Sequence, residues 1–427
     1  MRKQSPFFYG WIIVVVSFLS MVLAYGARNS FSVFYVAILD EFGWSRAGTA
    51  GIFSVNTIAY GVAAPFVGAL VDRFGPRKIM LIGAMVLASA MVLCSTVNTI
   101  WHLYLLFGVT GGIGTSLMGF PANAAVMPHW FVKRRGMVFG IFTSGFGASF
   151  LVVPLAQYLI VKLGWRLSFI LLGILIALVA VPLIGLLSRH KPQHMGLFPD
   201  GIHPAAHKPK TARGWIKGSV AVDKEWADTN WSLGRAVRTH RFWLMFLASF
   251  CIFGFLENLI VVHQVALMRD IGFSRNLIIS IVALLGMMMA VGNLGGFLSD
   301  RIGREKAFNL GCFISILGVF ALLLMQKNSY SWMGYLYAVS FGSGMGMLGP
   351  AFGAALADMF QGEDFGRING LTVLGFGLGG IAGPWFGGLV FDITRSYSVA
   401  LVVAILAAAL AITFFSIAAP GKIRQMR

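Results

Sequence analysis

Charge is scarce in this chain. Only 11% of its 427 residues are Asp, Glu, Lys or Arg, and fifteen are acidic. Soluble proteins carry roughly a quarter charged residues, so a string of water-soluble domains is excluded. Cysteine is nearly absent: Cys94, Cys251 and Cys312 all fall in apolar runs, which excludes a disulfide framework and a cysteine metal site. No Walker lysine follows the glycine-rich stretches "GGIG" (111–114) and "GFGLGG" (375–380), and no strand precedes them, so nucleotide binding is not expected. No nucleophile and base stand at useful spacing, so the chain is expected to be no enzyme and to carry no cofactor or metal.

What remains is apolar: 58% of the residues are hydrophobic. Runs long enough to cross roughly 30 Å of hydrocarbon, at about 1.5 Å per helical residue, recur along the whole chain. Twelve are counted, near 9–37, 47–71, 79–97, 101–127, 137–161, 167–188, 242–267, 276–298, 308–326, 331–357, 369–391 and 398–419. The opening "MRK" before the first run resembles a signal peptide, but eleven further spans follow it. The net charge of +18 is sorted by side rather than spread, which argues against nucleic acid as a partner. With the N-terminus inside, the outer loops hold Arg46, Lys162, Arg166, Arg269, Arg275, Lys327 and Arg395; nearly all other cations fall inside. This positive-inside pattern predicts cytoplasmic termini and a multi-pass protein of the cytoplasmic membrane.

The polar segment 189–241 divides the spans into 1–188 and 242–427, and reads as a cytoplasmic linker with a surface helix near "WSLGRAVRTHRFW". Its five histidines (190, 194, 203, 207, 240) are irregularly spaced and lack cysteine neighbours, unlike a metal site. The two parts repeat each other. "EFGWSR" (41–46) answers "DIGFSR" (270–275), "GALVDRFGPRK" (68–78) answers "GFLSDRIGREK" (296–306), and "GFG" (145–147) with Pro154 answers "GFG" (375–377) with Pro384, at offsets of 229, 228 and 230. Six helices repeated in one orientation predict a pseudo-two-fold axis along the membrane normal, with a cavity between the halves.

On these motifs the whole chain resembles the major facilitator superfamily. The loop pattern G-x-x-x-D-R-x-G-x-[RK]-[RK] is matched by Gly68, Asp72, Arg73, Gly75, Arg77 and Lys78, and a second copy carries Gly296, Asp300, Arg301, Gly303, Arg304 and Lys306. The resemblance implies an all-α membrane fold of two six-helix bundles, and a latch at these loops that holds the cytoplasmic side closed. Gly68 would allow close helix approach, and Asp72 and Asp300 would pair at helix ends. "YGW", "EFGWSRA", "WFVKRRG" and "GWRLSF" are similar to the branch of oxalate/formate exchangers and monocarboxylate porters.

Within the spans two charges stand out. Arg28, in "LAYGARNSFSVFYVAIL", lies about ten residues, or roughly 15 Å, before the outer end of span 1. An arginine at that depth costs at least about 2.5 kcal/mol on insertion scales, so a cavity or a partner is required. The offset of 229 maps it onto Glu257 in span 7, and Asn29 onto Asn258. Three roles compete: an ion pair that closes the outer cavity, a substrate site where Arg28 binds a carboxylate and Glu257 holds a proton, or a permanent neutral pair that fixes packing.

His263 is a second proton-coupling candidate, with a carbonyl-bonded neutral imidazole as the alternative. Asn56, Tyr60, Asn258 and Asn293 are polar groups at depth that either line the cavity or join helices. The chain departs from its branch at two positions: Gly292 and Phe376 stand where those proteins commonly carry a span 8 arginine and a span 11 lysine. One anchor, Arg28, with Phe120, Phe376 and Tyr337 as lining, suits a monocarboxylate with an apolar body. The expected function is secondary transport of a small organic anion by alternating access, with proton coupling or anion exchange, by a monomer in the bilayer. The alternatives are a proton-driven exporter of drugs or other neutral or cationic compounds, resting on Glu257, and a non-transporting sensor that signals through 189–241.

Overall fold

The computed structural model describes residues 8–131, 135–189, 192–198, 219–221, 226, 229–294, 297–326, 330–360, 365–418 and 424–426. Nearly all of these are helical, as hydrocarbon demands: where water is absent, a helix satisfies its own backbone groups. The first part of the chain forms α1 (Gly10–Asn29), α2 (Phe31–Phe42), α3 (Arg46–Phe74), α4 (Pro76–Leu93), α5 (Gly111–Met118), α6 (Phe120–Trp130), α7 (Arg135–Ala148) and α8 (Val152–Leu187). The second forms α9 (His240–Ser249), α10 (Asn258–Asp270), α11 (Arg275–Leu294), α12 (Arg304–Met325), α13 (Ser331–Met359), α14 (Phe365–Thr394) and α15 (Ser398–Ala418). A short ribbon pairs β1 (Ser219–Ala221) antiparallel with β2 (Arg424–Met426).

Among the described residues, ten stretches are long and apolar enough to cross a membrane. One of them, Met137–Leu187, runs for 51 residues. It is broken at Gly164 (φ 79°, ψ 163°), a backbone conformation open to glycine. The expected count of twelve treats that break as a boundary and adds the 29-residue α13.

The repeat is visible in the backbone. Gly43 and Gly272 both end helices with positive φ, at 64° and 90°. Gly75 and Gly303, in the two loop motifs, have φ/ψ of 83°/152° and 92°/153°. The helix that follows begins at the next residue in both cases, Pro76 and Arg304.

The halves meet through α3 against α14, α7 against α11, and α2 against α10. Small residues permit this. A Cβ on Gly147 would lie 2.4 Å from the Ala290 nitrogen, and one on Gly380 2.5 Å from Thr57 Cγ2. Hydrogen bonds and ion pairs between described residues of the two halves run from mid-depth to the distal face, where α2 turns into α3 and α10 into α11.

Candidate functional site

Arg28 sits in the last turn of α1, just before the bend at Ser30, and is only 4% exposed. Its Nη2 donates to Thr57 Oγ1 at 2.7 Å and to Asn258 Oδ1 at 3.4 Å. Thr57 spends its own proton on the Phe53 carbonyl, which leaves a lone pair for the guanidinium. The cation also lies over the rings of Phe53 (4.8 Å) and Tyr60 (5.6 Å). Phe53, Thr57 and Tyr60 share one face of α3 by their spacing of four and three residues. The Tyr60 hydroxyl is fixed by that of Tyr25 at 2.8 Å. Among the described residues every hydrogen-bond and ring partner of Arg28 is neutral, and its buried Nε has no hydrogen bond.

Glu257 and Asn258 stand where a π-helical segment, Phe250–Glu257, passes into α10. Wider turns of this kind release carbonyls from the helical ladder. The Asn258 amide takes two of them, donating to Phe253 O (2.8 Å) and Gly254 O (2.9 Å), so its Oδ1 is presented to Arg28. Glu257 is 8% exposed, and its carboxylate has no hydrogen-bond or ion-pair partner among the described residues. The direct Arg28–Glu257 pair, one of the three expected roles, is therefore not formed in this conformation.

Geometry places Arg28 centrally. A two-fold operation that carries residue i to about i+229 lets the two related residues touch only near the axis. Arg28 touches Asn258, 230 positions on. Toward the distal face Asp40 pairs with Arg269, 229 positions on, at 2.7 Å. Arg28 thus lies close to the axis between the halves.

The distal face is closed above it. Arg46 makes a two-bond contact to Asp270 (2.6 and 3.0 Å), donates to the Tyr397 hydroxyl (2.7 Å), and lies 3.6 Å over the Phe391 ring. Burial pushes the Tyr397 hydroxyl up to about 12, so it stays protonated near neutrality. A cavity of about 540 Å³ lies in this layer, lined by Asp40, Trp44, Arg46, Arg269, Asp270 and Asp392 among others. Arg28 and Glu257 do not line it.

His263 belongs to this lid. Its Nε2–H donates to the Pro384 carbonyl at 2.8 Å, because a carbonyl can only accept. Nδ1 is hydrogen-bonded to the Tyr397 hydroxyl at 3.2 Å, as acceptor when the ring is neutral and as donor when it is protonated. Tyr35 meets the imidazole edge-on at 5.4 Å.

The other sequence candidates divide by location. Asn29 donates to Ser149 Oγ (2.9 Å), joining helices within one half. Asn56 donates to Phe107 O (2.8 Å), a carbonyl of a second π-helical segment, Tyr104–Thr110. Phe120 stacks near Phe142 at 5.9 Å. Asn293 bonds its own helix at Met289 O (3.0 Å). Tyr337 is fully buried, with its hydroxyl on Gln264 Oε1 (2.8 Å). The Phe376 carbonyl packs on Gly254. Only Tyr60 and Asn258 join Arg28.

At the loop motifs, a Cβ on Gly68 would meet nothing within 4 Å among the described residues. Arg73 and Arg77 are exposed, as is Arg301. Arg304 pairs with Asp358 (3.1 Å) and Ser299 (2.7 Å) in its own half. The side chains of Asp72 and Asp300, and Gly296 entirely, lie outside the described residues. So do linker histidines 190, 203 and 207 and the side chain of His194; no metal-ligating group of three is found among the described residues.

Sequence reasoning passed over Thr57, Phe53 and Tyr25 around Arg28, and Asp392 and Tyr397 in the lid. The spacing of Phe53, Thr57 and Tyr60 was the available signal for the first group. Arg46 and Asp270 were visible as members of the two matched hexapeptides, but not as partners.

Comparison with known proteins agrees with this architecture. The family model of the Major Facilitator Superfamily matches residues 17–354 and 296–425. The "Uncharacterized MFS-type transporter YcxA" of Bacillus subtilis (strain 168) is 25% identical over 404 residues, covering 92% of this chain and 91% of that protein. Monocarboxylate transporter 13 of Rattus norvegicus is 26% identical over 403 residues (93% and 86%), and monocarboxylate transporter 2 of Mus musculus 26% over 401 (91% and 79%). A crystal structure of a bacterial homolog of the human lysosomal transporter Spinster, inward-facing and unoccupied, shares the fold with a TM-score of 0.67 at 18% identity, covering 99% of this chain and 97% of that one. The repeated helices, the duplicated loop motif and these matches together make the chain a multi-pass membrane transporter, a member of the major facilitator superfamily.

Proposed function

We propose that this transporter moves a small organic anion, a monocarboxylate, by alternating access, coupled to a proton or in exchange for another anion. The observation that carries the reading is Arg28: a buried cation near the axis between the halves, whose hydrogen-bond partners among the described residues are neutral and whose Nε has none there. A charge at that depth is costly, and a carboxylate offers it both neutralisation and a two-bond fit to the guanidinium. The rings of Phe53, Tyr60 and Tyr25 suit an apolar body beside one carboxylate, and among the described residues no second cation stands with them. Glu257, whose carboxylate has no hydrogen bond or ion pair among the described residues, is the candidate to carry a proton with the anion. Two relatives bear the name monocarboxylate transporter, which favours the same class.

In this reading the divisions are 1–188, 189–241 and 242–427, twelve helices span the membrane, and both termini are cytoplasmic. The closed distal face is then the outer one. Uptake into proteoliposomes tests the proposal. Short aliphatic and aromatic monocarboxylates should be taken up saturably, and faster with an inward proton gradient or internal anion. Uptake of neutral or cationic compounds without any carboxylate uptake would replace this reading with the exporter. Ligand binding without flux of any kind would replace it with the sensor.

A further inference from the structure

The first two backbone N–H groups of α3 are not satisfied within their own half. Arg46 N donates to Asp392 Oδ1 at 3.0 Å, and Ala47 N to Asp392 Oδ2 at 2.9 Å. The third, Gly48 N, is taken by Ser45 Oγ at 3.1 Å. Asp392 lies at the distal end of α14, in the opposite half of the molecule. The start of a helix leaves its first N–H groups free and carries the positive end of the dipole, so a carboxylate placed there is doubly favoured. The Arg46 side chain, meanwhile, turns to Asp270 and Tyr397. Asp392 therefore holds backbone, and the contact does not depend on where the arginine points.

The face of α14 that carries Asp392 is built for close approach to α3. Gly380 lies on Thr57, Ser54 Oγ donates to Ile381 O at 2.9 Å, and a Cβ on Gly388 would fall 2.6 Å from Ala47 Cα and N. Gly388 stands one turn before Asp392, so its bare backbone brings the carboxylate within reach of the α3 terminus. Pro384, one turn earlier, gives its carbonyl to His263 and interrupts the ladder between the two contacts.

We propose that Asp392 is a gating residue of the transport cycle: its carboxylate closes the distal face by capping α3 across the interface between the halves. Opening this face strips the cap and leaves two N–H groups to water; closing restores both bonds at once. The device is independent of what is carried, so it stands or falls apart from the monocarboxylate reading.

The test measures how the open and closed populations of the distal face divide. Spin labels at Leu163→Cys and Trp332→Cys, exposed positions in opposite halves, report the distance across this face by pulsed electron resonance in lipid nanodiscs. The background replaces Cys94, Cys251 and Cys312, all free and buried. Loss of a helix cap predicts that Asp392→Asn raises the open-to-closed ratio about 3- to 30-fold. Gly388→Ala, which changes no charge, should raise it as well, and carries the test should Asp392→Asn fail to fold. Asp40→Asn, which removes an exposed pair with Arg269, should leave the ratio within about twofold. Wild-type distances in both gate variants, or an equal shift with Asp40→Asn, would overturn the proposal.

Discussion

Replacing Arg28 by methionine, of similar length but uncharged, separates an anion anchor from a structural ion pair. At mid-depth an arginine costs about 2.5–3.5 kcal/mol on insertion scales. Against this stand the hydrogen bond to Thr57, about 1.5 kcal/mol, and two cation–π contacts at about 0.5–1 kcal/mol each. The 3.4 Å contact to Asn258 adds little. These terms nearly cancel. Thr57 keeps its bond to Phe53 O when the guanidinium is gone, and Asn258 Oδ1 gives up only its 3.4 Å contact. Arg28→Met should therefore change the unfolding free energy without ligand by no more than about 1 kcal/mol. A permanent pair with Glu257 behaves otherwise, since removing one member leaves a buried charge at a cost of about 3–5 kcal/mol. The assay is equilibrium unfolding in mixed detergent micelles, run as a cycle with Glu257→Gln. A coupling energy well below the roughly 3–5 kcal/mol of a broken buried pair is expected. A loss of several kcal/mol in Arg28→Met that vanishes in the Glu257→Gln background would refute the reasoning.

Three further outcomes follow from the same geometry. Glu257→Gln should abolish uptake driven by a proton gradient while retaining exchange of anion for anion in proteoliposomes; equal loss of both would remove Glu257 from proton coupling. Arg46→Ala breaks a half-buried two-bond pair and a ring contact, so it should expose the distal face to aqueous thiol reagents, probed at Ala266→Cys, by about tenfold or more, whereas Arg269→Ala should change labelling less than twofold. His263→Gln keeps one donor and one acceptor and should preserve the lid, while His263→Leu leaves Pro384 O and Tyr397 without their partner and should raise the same labelling.

The sequence made the depth of Arg28 and Glu257 readable, because hydropathy sets where a span begins and ends and the repeat sets which residues correspond. It also foretold the shared backbone of the two loop motifs: an internal match implies matching glycine conformations, and Gly75 and Gly303 agree closely. Which face of α3 meets Arg28 was not readable. Asn56 and Thr57 are neighbours of similar polarity, and only the packing of α3 between the π-helical segment Tyr104–Thr110 and α1 sends Asn56 to Phe107 O and Thr57 to the guanidinium. Asp392 was silent for a different reason. A carboxylate at the end of a span reads as a solvated terminus, and its partners are backbone groups that no composition or motif can mark. The lid pairing of Arg46 with Asp270 joins one copy of the repeat to the other, a contact set by tertiary closure rather than by either hexapeptide.

The account's central claim is that Arg28 receives the carboxylate of the transported anion. Purified wild type and Arg28→Gln would be melted in the presence of monocarboxylates, dicarboxylates and neutral compounds. Monocarboxylates should raise the unfolding temperature of the wild type, and the affinity behind that rise should fall about thirtyfold or more in the variant, the worth of a charge-assisted two-bond contact. Stabilisation by monocarboxylates that persists unchanged in Arg28→Gln would contradict the claim.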